Sequence, residues 1–152
     1  MTTTTTNTDR RLIVVVGATG SGKTDLAIAL AQHYGAPIVS TDSRQFYRGM
    51  PIGTAQPTAA QLRAAEHHFI ASHDITEELS CGSYEVQALE LLDRLFATHD
   101  TVVAVGGSGL YVKALCEGLD DLPQTDPELR ERLNAEPVSY THLRAHETRS
   151  NL

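Results

Sequence analysis

A glycine-rich stretch near the start of the sequence has the residue types needed to bind a phosphate chain. Residues 17–24 read GATGSGKT and match the pattern G-x-x-x-x-G-K-[ST], with an apolar run before them and a helical pattern after them. Glycines allow successive backbone N–H groups to converge on phosphate oxygens, and the N-terminus of the following helix adds a favourable dipole. Lys23 offers a positive charge to the terminal phosphates, and Thr24 offers a hydroxyl to Mg²⁺. The predicted phosphate-binding residues are Gly17, Ala18, Thr19, Gly20, Ser21, Gly22, Lys23 and Thr24.

The phosphate loop does not by itself identify the ligand. Nucleotide kinases, GTPases and ATPases share this loop, and an enzyme with a diphosphate leaving group can use it equally well. The loop therefore predicts nucleotide or diphosphate binding and leaves the reaction open.

Asp42 is the second candidate for chemistry, because it follows a predicted strand at the sheet edge where open α/β folds place ligands. Its carboxylate can cap the next turn, hold Mg²⁺ through water or accept a proton, and position alone leaves these three roles open. Ser43, Arg44 and Gln45 follow on the same loop. Arg44 and Arg48 are among the few cations of an acidic chain, and they either face a polyanion or are solvated at the surface.

A third candidate lies at residues 106–109, Gly-Gly-Ser-Gly, where another predicted strand ends. Two adjacent glycines at a strand end predict a close approach of another backbone. Ser108 offers a hydroxyl at the same edge. Lys113, in the helix that follows, points toward the site or into solvent.

Hydrophobic periodicity predicts the elements that position these residues. Short apolar runs predict strands buried on both faces over 12–16, 36–41 and 101–105. Helices are predicted over 24–34, 58–66, 83–100, 109–118 and 125–133. Alternating strands and helices indicate the α/β class, with a P-loop NTPase-like parallel sheet and helices on both of its faces.

Two of the predicted helices carry expectations about single residues. The first is expected to bury a stripe that includes Leu26 and Ala27. The helix over 83–100 is expected to begin with Ser83 as N-cap and to bury Val86 and Leu89.

Composition limits the kind of protein. The 152 residues suffice for one domain, and no apolar stretch is long enough to span a bilayer. The polar segment 1–11, MTTTTTNTDRR, does not resemble a signal peptide, so we expect a disordered leader and a cytoplasmic location without membrane contact. The net charge of −7 argues against a general nucleic-acid surface, so a nucleic-acid partner requires local basic residues or a further part of the protein.

The last segment, 138–152, changes character without a linker. VSYTHLRAHET resembles one reading frame of a transposon adapter used in sequencing libraries, so we expect 138–152 to be an artefactual tail. The P-loop α/β domain is then expected to occupy residues 12–137, as the N-terminal part of a longer enzyme.

Three stretches together, GATGSGKT, DSRQFYRGMPIGTAQP and VGGSGLYVKALCEG, carry a family resemblance. The chain from about Leu12 to about Glu136 resembles the N-terminal half of tRNA dimethylallyltransferases, also called tRNA isopentenyltransferases. The second and third stretches are much more specific to that family than the phosphate loop.

The resemblance implies a reaction. The loop would hold dimethylallyl diphosphate with Mg²⁺, and Lys23 would stabilise the departing diphosphate. The acceptor would be N6 of the adenosine 3′ to the anticodon, in tRNAs that read codons beginning with U, and Asp42 would act as general base. Ser108 stands where the family often has threonine. The tRNA contacts that the resemblance implies are Asp42, Ser43, Arg44, Gln45, Ser108 and Arg130.

The resemblance also sets limits and alternatives. Family members continue well beyond this sequence, so the chain alone is expected to transfer little or nothing, and we expect a monomer. The alternatives are a P-loop nucleotide or small-molecule kinase that binds ATP, an adenine-nucleotide prenyltransferase, and a nucleotide-binding module without catalysis.

Overall fold

The computed structural model describes residues 10–77, 79–119, 128, 131 and 132. The chain divides into two compact units, 1–119 and 120–152. In the second unit the three described residues are helical. In the first unit, strands and helices alternate strictly along the described residues: β1 Arg11–Val16, α1 Lys23–Tyr34, β2 Ile38–Ser40, α2 Ala59–Ala64, β3 His67–His68, α3 Cys81–Leu95, β4 Thr101–Gly106 and α4 Gly109–Glu117.

The strands form one parallel sheet in the order β1-β4-β2-β3. Val16 at the end of β1 is paired with Gly106 at the end of β4, and Ser40 at the end of β2 is paired with Val105. Because the strands are parallel, the segments that follow them leave from the same edge. The sheet thereby gathers the phosphate loop, the Asp42 segment and residues 107–109, as the sequence predicts.

Helices cover both faces of this sheet, which confirms the predicted α/β architecture. Neighbouring residues of a strand point to opposite faces, so Val102 and Ala104 pack with α3 and α4 while Val103 packs with α1. The buried side chains on the α3 side include Phe46 and Tyr84. The core is thus divided by the sheet into two apolar layers.

The start of α3 differs from the prediction. Ser80 is the N-cap, with extended backbone dihedrals, and its side-chain oxygen accepts a hydrogen bond from the Ser83 N–H at 3.1 Å. Ser83 is therefore the third residue of the helix, and its predicted role as N-cap is wrong. Both serines precede the same apolar pattern, so the sequence does not distinguish them as caps. Only Ser80 has the extended backbone that brings its hydroxyl within reach of the unpaired N–H of Ser83 in the first turn.

The predicted buried faces of two helices are also wrong in part. Val86 and Leu89 of α3 are 59% and 46% exposed, and the helix instead buries Tyr84, Ala88, Leu92 and Leu95. In α1, Leu26 is exposed while Ala27, Ile28 and Ala31 are buried. Apolar residues lie on more than one face of each helix, and the shape of the sheet, which accommodates small alanines at the contact, decides which face is buried.

Strand β1 is less buried than its apolar sequence predicts. It pairs with β4 on one side, and no second partner strand occurs among the described residues. Val16 is consequently exposed. The strand begins at Arg11, one residue inside the predicted leader. The rest of that leader, the tail over 138–152 and most of the helix predicted over 125–133 lie outside the described residues.

Candidate phosphate-binding site

The phosphate loop connects β1 to α1 and has the backbone shape that its glycines predict. Gly22 immediately precedes α1 with φ of 82°, in the left-handed region that other residues rarely adopt. Lys23 is the first residue of the helix, and its Nζ donates a hydrogen bond to the carbonyl oxygen of Ala18. The lysine ammonium therefore lies over the loop whose N–H groups are expected to bind phosphate.

A cleft of about 290 Å³ opens beside this loop. Lys23 and Thr24 line it from one wall, and Asp42 lines it together with Arg44 and Gln45. The structure thus brings the predicted phosphate-binding and base residues into one cavity. Three other loop residues line the same cleft: Thr19, Gly20 and Gly22. Gly17 and Ala18 instead line a neighbouring groove, and Ser21 lines neither cavity.

The close backbone approach predicted at the end of β4 is present at Gly106. A Cβ atom on this residue would overlap Thr41 Oγ1 and lie 2.6 Å from the Thr41 carbonyl carbon and 2.9 Å from the Asp42 amide nitrogen. A Cβ on Gly107 would lie 3.3 Å from the carbonyl oxygen of Gly17. The two glycines therefore allow β4 to hold both the Asp42 segment and the phosphate loop against it.

Ser108 connects the same segments through hydrogen bonds. The Ser43 N–H donates to Ser108 Oγ at 3.3 Å, and the two hydroxyl oxygens lie 3.4 Å apart. Ser108 stands at the N-cap position of α4 without a side-chain cap bond to that helix. Its hydroxyl instead contacts the residue after Asp42, so it positions this segment.

The Asp42 carboxylate caps its own turn, which was one of the three predicted roles. Its Oδ1 accepts a hydrogen bond from the Arg44 N–H at 3.2 Å, while its own N–H donates to Ser40 Oγ at 3.3 Å. No hydrogen bond to Asp42 Oδ2 occurs within the described part of the chain. One carboxylate oxygen therefore orients the side chain, and the role of Asp42 as general base stays a prediction.

The two arginines of this loop differ in their surroundings. Arg48 donates to the carbonyl oxygens of Ala71 and Ser72 at 3.1 and 2.9 Å, so it ties two loops together rather than facing a polyanion. The exposed Arg44 guanidinium has no hydrogen bond among the described residues. Arg44 is therefore the free cation of the pair.

The other predicted RNA-binding residues are placed unevenly. Gln45 donates to the Ala55 carbonyl oxygen at 3.0 Å and accepts from Ser40 Oγ at 3.3 Å, so its amide links the end of β2 to Ala55. Lys113 is exposed. Arg130 lies outside the described residues. The assignment of Gln45 and Arg130 to RNA contact stays a prediction.

The cleft has a second wall, formed by residues that are not among the predicted site residues. Gln61 and His67 line it, and the Gln61 amide donates to Asp25 Oδ1 of α1 at 2.7 Å. Gln61 also forms a reciprocal capping box with Thr58 at the start of α2. The T-x-x-Q spacing over 58–61 is a known helix-start pattern and could have located this wall.

The residues that the structure describes lack both a preformed metal-binding cluster and a membrane-spanning helix. They contain no group of three or more His, Cys, Asp or Glu side chains arranged to hold a metal ion. Within the same residues, every helix is too short or too polar to cross a bilayer.

Comparisons with known proteins identify similar sequences and structures. A family model described as IPP transferase matches residues 45–150. A tRNA dimethylallyltransferase of Cytophaga hutchinsonii is 49% identical over 128 residues, which cover 84% of this chain and 42% of that protein. A second tRNA dimethylallyltransferase, from Flavobacterium johnsoniae, is 50% identical over 123 residues, which cover 81% of this chain and 40% of that protein.

A solved structure is similar over nearly the whole chain. The full-length tRNA isopentenylpyrophosphate transferase of Bacillus halodurans superimposes with a TM-score of 0.70 at 32% identity, covering 93% of this chain and 47% of that one. The chain spans about two fifths of the length of the curated relatives described above. The family match includes residues 138–150, and the artefactual origin of this segment stays a prediction.

Proposed function

The chain belongs to the IPP transferase family, and we propose on this premise that it binds dimethylallyl diphosphate for transfer of the dimethylallyl group to tRNA. The acceptor is N6 of the adenosine 3′ to the anticodon in tRNAs that read codons beginning with U. The observation that carries the proposal is the shared cleft, in which the phosphate loop faces Asp42. The relatives named as tRNA dimethylallyltransferases support prenyl transfer over phosphoryl transfer.

The reaction exchanges one bond at an allylic carbon. The C1–O bond to the diphosphate breaks, and the adenine N6 forms a bond to C1. Negative charge then develops on the departing diphosphate, where Lys23 and the loop N–H groups stabilise it. The N6 proton passes to the Asp42 carboxylate, whose Oδ1 is oriented by the Arg44 N–H.

The residues of the cleft fit a Mg²⁺ ion. The Thr24 hydroxyl and the Asp42 carboxylate both line it, and oxygen donors are what this ion prefers. We propose that the Thr24 hydroxyl would hold Mg²⁺ in this cleft. When bound, the ion adds positive charge beside the leaving diphosphate.

The acceptor must leave its stack to reach such a cleft. An unpaired base in an anticodon loop is turned out at lower cost than a base in a duplex. A tRNA substrate also agrees with the cytoplasmic location expected from the sequence. We expect the chain by itself to bind diphosphate and to transfer the prenyl group poorly, and we expect it to be a monomer.

Two substitutions test the proposal. Lys23→Ala should weaken Mg²⁺-pyrophosphate binding at least tenfold in calorimetry, because a charge-assisted contact contributes about 1.5–3 kcal/mol. Asp42→Asn should preserve pyrophosphate binding and abolish the residual transfer of radiolabelled dimethylallyl groups to an anticodon stem-loop. Arg94→Ala is the matched control, because it also removes one positive charge but lies exposed on α3, outside the lining of the cleft. Pyrophosphate binding that is indifferent to Lys23→Ala contradicts the donor site, and ATP hydrolysis without prenyl transfer points to the kinase alternative.

A further inference from the structure

A second pocket adjoins the phosphate cleft and has a different lining. Its volume is about 510 Å³, and Tyr47, Met50 and Tyr111 form its apolar walls. Arg44 and Thr54 line both cavities. The segment after Asp42 therefore separates two neighbouring spaces, one lined by the phosphate loop and one lined by tyrosine rings.

Both tyrosine rings of this pocket are anchored on a single buried residue. The Leu79 N–H donates to the Tyr47 hydroxyl at 3.4 Å, and the Tyr111 hydroxyl donates to the Leu79 carbonyl oxygen at 3.1 Å. Tyr111 also packs edge-on against Phe46 and Tyr84, with ring centroids 5.6 and 5.1 Å away. The rings are held in place by these contacts, so a ligand that stacks on them causes little further loss of side-chain entropy.

The lining is suited to a flat, unpaired nucleobase. Tyrosine rings are sequence-tolerant stacking surfaces for single-stranded bases. The Arg44 guanidinium at the rim has no hydrogen-bond partner among the described residues and can bind a backbone phosphate. The Ser43 hydroxyl also lines the pocket and can hydrogen-bond a base edge. A net charge of −7 disfavours broad contact with the RNA backbone, so base stacking is the expected mode of contact.

We propose that Tyr47 and Tyr111 form a stacking pocket for one unpaired base of the acceptor RNA, beside the donor cleft. The inference rests on the proposed function and adds two positioning residues to it. The base held here fixes the RNA loop relative to Asp42, while the diphosphate and its prenyl group occupy the neighbouring cleft.

Binding of a short RNA tests the pocket in the chain as it exists. A five-nucleotide single-stranded RNA that contains 2-aminopurine reports binding by its own fluorescence. Tyr47→Leu and Tyr111→Leu should each weaken this binding about tenfold, because each removes a stacking surface. Tyr34→Leu, at the exposed end of α1, is the matched control and should leave RNA binding unchanged. Pyrophosphate binding should be equal in all these variants.

A spectroscopic test does not depend on the stability of the leucine variants. The sequence has five tyrosines and no tryptophan, so tyrosine emission can be read directly. RNA should quench this emission in the unmodified chain. A Tyr47→Phe, Tyr111→Phe double variant keeps both stacking rings and loses only the hydroxyls that bond Leu79, so it should bind the RNA more tightly than the leucine variants and lose most of the quenching.

The outcomes separate this inference from the function on which it rests. The stacking pocket is overturned if the chain does not bind the RNA or if folded leucine variants bind it with full affinity. It is also overturned if RNA quenches the double phenylalanine variant as strongly as the unmodified chain. A wrong assignment of the donor site would be seen in a different measurement, because Lys23→Ala would then leave pyrophosphate binding unchanged.

Discussion

Gly106 offers the sharpest test of how the site is assembled. A methyl group at this position meets the backbone of Thr41 and Asp42 at 2.6 and 2.9 Å, in addition to the Thr41 hydroxyl. Ordinary contacts between such atoms lie at about 3.5–4.0 Å. The Gly106→Ala variant must therefore move the Thr41–Asp42 backbone by about 1 Å, because a backbone contact cannot be relieved by a change of rotamer.

This displacement is expected to change both the stability of the protein and its catalytic rate. Overpacking of a close contact lowers the free energy of unfolding by about 1–3 kcal/mol. A shift of about 1 Å in a catalytic group can lower a rate about a hundredfold. We therefore expect Gly106→Ala to lose both stability and whatever prenyl transfer the chain supports, while it retains most of its pyrophosphate binding through the loop N–H groups.

Urea unfolding followed by circular dichroism measures the stability change, and calorimetry measures pyrophosphate binding. Gly109→Ala is the matched control, because a Cβ at Gly109 meets no atom within 4 Å and the residue begins α4. Alanine there should be neutral or stabilising by up to about 1 kcal/mol. The reasoning is refuted if Gly106→Ala unfolds at the same urea concentration as the unmodified chain or if both alanine variants behave alike.

Three further outcomes can be measured on the same protein. Ser80→Ala should lower the free energy of unfolding by about 1 kcal/mol, and Ser83→Ala by less, because only Ser80 caps α3. Burial raises the pKa of Tyr84, so the contribution of Tyr84 to stability should be constant below about pH 10 and fall above it. In urea titrations above that pH, Tyr84→Phe should reduce the fall in stability. A thiol reagent should label the exposed Cys116 before Cys81, whose pKa is raised by burial; equal rates would contradict this.

The architecture could be predicted because its signals are local. The strand preceding GATGSGKT and the helix following it each have their own hydrophobic period, and α1 ends at Tyr34 as predicted, with Gly35 as its C-cap. The buried faces of the helices could not be read in the same way. Leu89 and Leu92 of α3 are equally apolar, and only the position of the sheet decides that Leu92 is buried while Leu89 is exposed.

The candidate site shows the same division between local and long-range signals. The phosphate loop and Asp42 follow directly from motif and strand order. The supports of the Asp42 loop depend on residues far apart in sequence, since Arg48 bonds residues 71 and 72 and Ser43 bonds Ser108. No pattern in a single sequence shows that a given arginine will bond a carbonyl oxygen rather than an RNA phosphate.

The bond between Lys23 and the Ala18 carbonyl oxygen bears on which anions the loop can select. The ammonium group has three N–H donors and this carbonyl takes one of them, so an incoming anion competes with the internal acceptor or shares the ammonium with it. A neutral carbonyl competes poorly with a multiply charged phosphate oxygen but competes well with weakly basic monovalent ions. Chloride and nitrate should therefore compete only weakly with diphosphate for the loop in calorimetric titrations.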